Sequence, residues 1–190
     1  MHIFDPAKLE RLISSDRQEW FPAQPVLDAL RCTPGMTVLD FGAGPGYHSI
    51  RIATQVGPTG AVIATDVEPA MLHRLQQSAA QLSLRNVFAL LIDERGIPLR
   101  DRSVDRVLLS LVAHEVSSRL TLFTEVQRVL SAGGGIAIVE WLAQPTAHGP
   151  NLSERLSPAL VASELRSAEL QPDVETAVGA DCYVLTAWKR

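Results

Sequence analysis

Two cysteines in 190 residues, Cys32 and Cys182, lie far apart in the chain. They supply neither the paired framework of a disulfide-stapled domain nor the clustered ligands of a zinc site. They read as small apolar residues in a reducing, intracellular setting, and no metal is expected. Basic residues are not in surplus, because the formal net charge is −4. That disfavours a nucleic-acid partner, whose affinity rests on Lys and Arg clustered against phosphates. An anionic membrane surface is equally disfavoured. No apolar run reaches the roughly 20 residues that span a bilayer. The opening MHIFDPAKLERL lacks a secretory signal's basic-then-apolar pattern, so the expectation is a cytoplasmic protein. Repeats, low-complexity stretches and long linkers are missing as well.

What is present is a chain with 46% hydrophobic and 20% charged residues, of a length that suits one domain. Short apolar runs alternate with amphipathic helical patterns, which argues for an α/β sheet covered on both faces. Helices are expected over 6–14, 25–31 and 118–131, from Tyr47 to Val56, from Pro69 through Met71, Leu75, Ala79 and Leu82, and over 158–168. Strands are expected at Met36 to Phe41, Ala61 to Thr65, Asn86 to Ile92, Val104 to Ser110 and Ile136 to Trp141. Gly133, Gly134 and Gly135 are read as the stop of the helix over 118–131. Two last strands, 171–178 and 182–188, have no helix between them and should pair as an antiparallel hairpin. No helix carries a sustained heptad seam that would fix an oligomeric state, and a monomer or homodimer is expected.

The most informative segment is Val38-Leu39-Asp40-Phe41-Gly42-Ala43-Gly44-Pro45-Gly46-Tyr47. A strand ends in an acid, glycines follow at alternate positions, and a helix begins. Gly42 and Gly44 permit a sharp turn and close backbone approach to a ligand, while Gly46 allows helix and strand to pack closely. The helix start presents free N–H groups to a polar ligand. Asp66 ends the second strand, where a ribose diol would meet it, and Asp93 ends the third. A dinucleotide fingerprint needs its third glycine at position 47, which is Tyr, so a nicotinamide-dependent oxidoreductase is opposed. A P-loop's Gly-Lys-Ser/Thr is absent.

At these residues the chain resembles the class I S-adenosylmethionine-dependent methyltransferases, in a small bacterial branch similar to the ubiquinone/menaquinone-biosynthesis methyltransferases. DFGAGPG carries the resemblance, supported by IATDVEPAML, LLIDERGIPLRDRSVDRVLLSLVAHEV and EVQRVLSAGGGIAIVEW. The resemblance implies a Rossmann-like seven-stranded sheet of order 3-2-1-4-5-7-6 with an antiparallel last strand. It implies S-adenosyl-L-methionine as cofactor and S-adenosyl-L-homocysteine as product. By position, Gly42, Gly44 and Gly46 would wrap the methionine part and Asp40 would orient the loop and approach the amino group. Asp66 would hold the ribose, Val67 would lie on the adenine face, Asp93 and the Glu94 backbone would meet the adenine edge, and Ser110 would offer its carbonyl. Pro45 departs from the Thr or Ser common there, and His48 stands where an aromatic or apolar residue is common. The chain is expected to be a single domain over 1–190, with residues 1–31 a helical lid and 32–190 the cofactor-binding core.

Methyl transfer needs alignment and exclusion of water, and a base only where the nucleophile carries a proton. His114 and Glu115 beyond the fourth strand are candidate bases. His48 and Tyr47 are candidates for the methyl end. Glu140 and Trp141 could wall a substrate. Phe4, Trp20 and Phe21 could sit on the lid, and Arg155 could meet an anionic group. Arsenite methylation fits poorly, because that chemistry needs clustered thiols. The expected activity is methyl transfer to a small-molecule acceptor. The alternative is a non-catalytic module or partner subunit that binds the same cofactor.

Overall fold

The computed structural model describes residues 17–93 and 96–190. The helix expected over 6–14, Phe4 and Glu94 lie outside them. Elements run α1 (Arg17–Trp20), α2 (Gln24–Leu30), β1 (Thr37–Phe41), α3 (Ser49–Val56), β2 (Ala61–Asp66), α4 (Pro69–Gln81), β3 (Val87–Leu91), β4 (Val104–Ser110), α5 (Arg119–Val129), β5 (Leu130–Trp141), α6 (Pro158–Ser167), β6 (Leu170–Val178) and β7 (Cys182–Lys189). Short 3-10 turns occupy Ala113–Glu115 and Leu152–Glu154.

The strands form one seven-stranded sheet of order β3-β2-β1-β4-β5-β7-β6, as the resemblance implied. The first five strands are parallel, and β7 runs antiparallel to both β5 and β6. Central strands are buried on both faces, which is why Val38-Leu39 of β1 and Val107-Leu108-Leu109 of β4 read as short apolar runs rather than alternating ones. One layer holds Val26, Leu30, Ile52, Val56, Leu72 and Leu75 from α2, α3 and α4. The opposite layer holds Phe123, Val126, Val161 and Leu165 from α5 and α6. The strand order reverses between β1 and β4, and at such a switch point the carboxyl ends of the strands leave a crevice for a ligand.

Four local readings change. The glycines at 133–135 do not stop α5. That helix ends at Val129, where Leu130 turns extended (φ −66°, ψ 134°), and the glycines lie inside β5. Gly135 pairs with Arg106 and with Trp188, and an added Cβ there would lie 2.4 Å from the Trp188 ring. The missing side chain is therefore a packing requirement of the sheet. Leu82 follows α4 rather than joining its buried stripe, and is 60% exposed. α3 begins at Ser49, two residues later than expected, because Gly44 to Tyr47 are still turning. α5 begins at Arg119, one residue later than expected, with Ser118 as its N-cap, and His114 before it sits in a 3-10 turn.

Candidate active site

The tips of β1, β2 and β3 each carry an aspartate. Asp40 is 2% exposed and accepts a hydrogen bond from Ser49 Oγ at 2.5 Å, tying the end of β1 to the start of α3. Burial pushes its carboxyl up to about 6, against the opposing Ser49 bond. The loop that follows keeps Gly42, Gly44 and Gly46 in the left-handed region (φ 72°, 54° and 93°). A Cβ on Gly42 would lie 2.4 Å from Val112 Cγ2, and one on Gly46 would lie 2.2 Å from Leu75 Cδ1. Both glycines thus meet a backbone demand and a space demand at once.

Asp66 accepts from the Gly44 N–H at 2.8 Å through one oxygen and from the Glu68 N–H at 2.9 Å through the other. Burial still raises its pKa, outweighing these backbone donors. A carboxylate has about four acceptor lone pairs, so both oxygens keep capacity for a ligand's hydroxyls. Asp93 is exposed at the end of β3. It borders a cavity of about 130 Å³ with Phe41, Val67, Ile92 and Val116, and a broader one of about 380 Å³ with Leu91, Gly96 and Pro98. The smaller space combines apolar walls with two carboxylates, Asp93 and Glu125, and the hydroxyl residues Ser117, Ser118 and Thr121, a lining suited to a flat ring with a polar edge. Ser110 ends β4, and its Oγ is buried with no hydrogen-bond partner among the described residues. By strand alternation it faces the same side as Asp40. A buried hydroxyl left unpaired costs stability, so a ligand group that met it would be favoured.

His48 lies on the other side of the glycine loop and is buried, 3% exposed. Its ring meets Tyr47 and Phe21 edge-on at 4.9 and 5.7 Å, and neither ring nitrogen has a hydrogen-bond partner among the described residues. Burial, with the Arg17 and Arg51 charges, drives its pKa down to about 3. A histidine so weakly basic and so enclosed is a poor acceptor of a substrate proton. The aromatic cage explains why an apolar residue also suits this position. Tyr47 donates to the Phe21 carbonyl at 2.6 Å, and the Arg17 guanidinium lies 4.5 Å from its ring centroid.

His114 behaves differently. Its backbone N–H donates to Glu140 Oε1 at 3.1 Å, and its Nδ1 lies 2.8 Å from Glu140 Oε2. The side chains are 9% and 0% exposed. Glu115 shares the turn and adds its negative charge. Sequence reasoning saw Glu140 only as a wall, although an acid ending the apolar run IAIV at the same sheet edge as His114 was a usable signal. Beside it, Trp141 stacks on Trp20 at 5.8 Å, and Trp20 stacks on His148 at 4.5 Å. Arg155 is not presented to a ligand. It donates to the carbonyls of Leu142, Gln144, His148 and Pro150 and to Thr146 Oγ1, pinning the segment after β5.

Among the described residues no group of three or more His, Cys, Asp or Glu is placed to hold a metal, and no helix is long and apolar enough to cross a membrane. Both cysteines are buried, and burial raises each thiol to about 12.

Residues 32–175 match a family model described as a methyltransferase domain. The arsenite methyltransferase of Halobacterium salinarum is 35% identical over 105 residues, 55% of this chain and 27% of that protein. The demethylmenaquinone methyltransferase of Oceanobacillus iheyensis is 31% identical over 115 residues, 60% of this chain and 48% of that protein. The chain thus spans between about a quarter and a half of these curated relatives. A solved SAM-dependent methyltransferase from Aquifex aeolicus superposes with a TM-score of 0.92 at 32% identity, covering 98% of this chain and 100% of that one.

Proposed function

Since the chain belongs to the class I S-adenosylmethionine-dependent methyltransferases, we propose that this enzyme transfers a methyl group to a small-molecule acceptor held between the His114 turn and the Trp20–Trp141 wall. The observation that carries the cofactor end is the meeting of Asp40, Asp66 and Asp93 at three neighbouring strand tips beside a left-handed glycine loop. The buried Ser110 hydroxyl and the cavity beside Asp93, with Phe41, Val67 and Ile92 among its walls, fit the same group.

When bound, S-adenosylmethionine supplies a methyl group already activated on a sulfonium. The chain's own residues would bind and orient. Asp66 would accept from the ribose hydroxyls, Val67 and Phe41 would face the adenine, and Asp93 and the Glu94 backbone would take its polar edge. Gly42, Gly44 and Gly46 leave main chain open to the amino-acid end, near Asp40 and Ser110. Trp20 of α1 would cover the acceptor through its contact with Trp141. Water exclusion by these rings favours in-line transfer over hydrolysis.

The small acceptor is supported by the relatives, whose names specify arsenite and demethylmenaquinone. It is supported also by the net charge of −4, which gives no footprint for nucleic acid. An arsenite acceptor is opposed by two buried thiols held protonated at neutral pH. Calorimetry with S-adenosylhomocysteine tests the cofactor end. Binding is expected for the wild type, and Asp66→Ala should weaken it by about ten- to a hundredfold, the worth of hydrogen bonds to a charged group. Unchanged affinity in that variant, or preference for a nicotinamide dinucleotide, would remove the assignment.

A further inference from the structure

The His114–Glu140 pair has a geometry that a packing role does not require. Glu140 is the single acid at the tip of β5 and is fully buried, and it accepts twice from one residue, from the backbone N–H and from the ring. The backbone bond fixes where His114 stands, and the ring bond fixes which nitrogen faces the carboxylate. A carboxylate only accepts, so the neutral ring carries its proton on Nδ1. Nε2 makes no hydrogen bond among the described residues and is not one of the buried unsatisfied nitrogens, so it is the ring atom that opens outward. The turn that carries the ring follows Val112, whose side chain packs on Gly42 of the cofactor loop. Trp141, the next residue after Glu140, stacks with Trp20. An imidazole whose Nε2 makes no hydrogen bond among the described residues thus stands at the carboxyl ends of β4 and β5, two residues past the Val112 contact with the glycine loop.

We propose that Glu140 and His114 form a general-base pair, and that the methyl acceptor is therefore a small molecule whose nucleophilic oxygen or nitrogen carries a proton. The inference rests on the small-acceptor reading above. The acceptor's O–H or N–H heteroatom bonds to the methyl carbon, and the carbon–sulfur bond breaks with its electron pair staying on sulfur. The heteroatom's proton passes to Nε2 of His114. The imidazolium that forms lies against the Glu140 carboxylate, which positions the ring, and the proton then leaves to solvent. His114 is the catalytic residue of the pair and Glu140 its positioning residue.

The surrounding charges agree with this order of events. Burial alone would lower the pKa of His114. The hydrogen bond and charge of Glu140, with Glu115 in the same turn and Glu154 in the 3-10 turn before α6, reverse that and raise it. Arg119 of α5 and Tyr183 of β7 face Glu140 from the other elements, and the Glu140 charge also acts on Cys182. The working form is neutral His114, so activity should climb as pH rises through its raised pKa and then level off.

Long-range proton–nitrogen spectra of the whole chain saturated with S-adenosylhomocysteine test the pair without turnover. Neutral His114 is expected as the Nδ1–H tautomer with a pKa above 6.5, and Glu140→Gln should lower that pKa. An Nε2–H tautomer, or a pKa indifferent to Glu140→Gln, would overturn the proposal. Transfer of labelled methyl to 4-chlorophenol and to 4-chlorothiophenol, which is largely ionised at pH 8, then separates base catalysis from folding. His114→Gln should lower the phenol rate by about a hundredfold or more and leave the thiolate rate within a few-fold. Equal losses on both probes, or an unchanged phenol rate, would also overturn it, and where neither probe is turned over the tautomer decides. S-adenosylhomocysteine affinity in His114→Gln keeps the two readings apart. Its absence in the wild type sinks the methyltransferase site, whereas binding with the wrong tautomer sinks only the base.

Discussion

Asp40 and His48 sit within one loop-and-helix start, both fully enclosed, and their environments act on protons in opposite directions. The pKa of Asp40 is raised to about 6, so the folded state holds its proton more tightly than the unfolded chain and gains stability as pH falls from 6 toward 4. That of His48 is lowered to about 3, so the unfolded chain takes the proton first and stability is lost as pH falls below 6.5. The two slopes nearly cancel in the wild type between pH 4 and 6. His48→Phe removes one of them and replaces two unpaired nitrogens by carbon in an aromatic cage. The variant should therefore gain stability over the wild type by about 1 kcal/mol for each pH unit below 6.5, read from urea midpoints at a series of pH values. A pH-independent difference would mean that His48 keeps its proton when folded. At the same scale, Gly46→Ala places a methyl against Leu75 at a φ of 93°. It should cost about 2 kcal/mol or more in chemical denaturation, and a loss below half that would show that Leu75 can move aside.

Elements differ in what holds them. α5 and α6 face the sheet through Phe123, Val126, Val161 and Leu165, and are joined at the surface by a bidentate Arg119–Glu164 pair at 2.7 Å. The segment after β5 has no such apolar face, and Arg155 fastens it through four backbone carbonyls and a hydroxyl. Arg155→Ala should leave the protection of β5 and β7 intact while residues 142–150 exchange their amides faster by about tenfold or more, the worth of one to two charge-assisted bonds. Uniform loss across the sheet in hydrogen-exchange mass spectrometry would instead make Arg155 a global staple. Element type was legible wherever one physical pattern ruled: the helical stripe Met71, Leu75, Ala79, or the buried runs of β1 and β4. It failed at 133–135, where a glycine run has the same composition whether it caps a helix or makes room for Trp188 across two strands. It failed again at Leu82, where spacing continued past the point at which the backbone stops coiling.

At the scale of the whole molecule, the cofactor cleft is made by strands that approach one another only after β2, β3 and β4 have found their places beside β1. Saturation with S-adenosylhomocysteine at about a hundred times its Kd should stabilise the fold by about 2.7 kcal/mol, raising Tm by about 5–10 °C. The same concentration of a nicotinamide dinucleotide should leave Tm unchanged, and a shift with both ligands would deny the cleft its selectivity. The acid-and-glycine turn at 40–46 and the acids at 66 and 93 were visible in the sequence. Their chemistry is local: a strand end, a left-handed turn and a helix start are dictated within a few residues of chain. The chain alone also determined the period of each strand and helix, and hence the alternation that layers the sheet. Tertiary structure decided which titratable groups meet. His114 and Glu140 are 26 residues apart in the chain and become a pair only because β4 and β5 lie side by side in parallel with their tips at one edge. Burial decided the rest, since desolvation lowers the pKa of His48, while a carboxylate brought alongside raises that of His114.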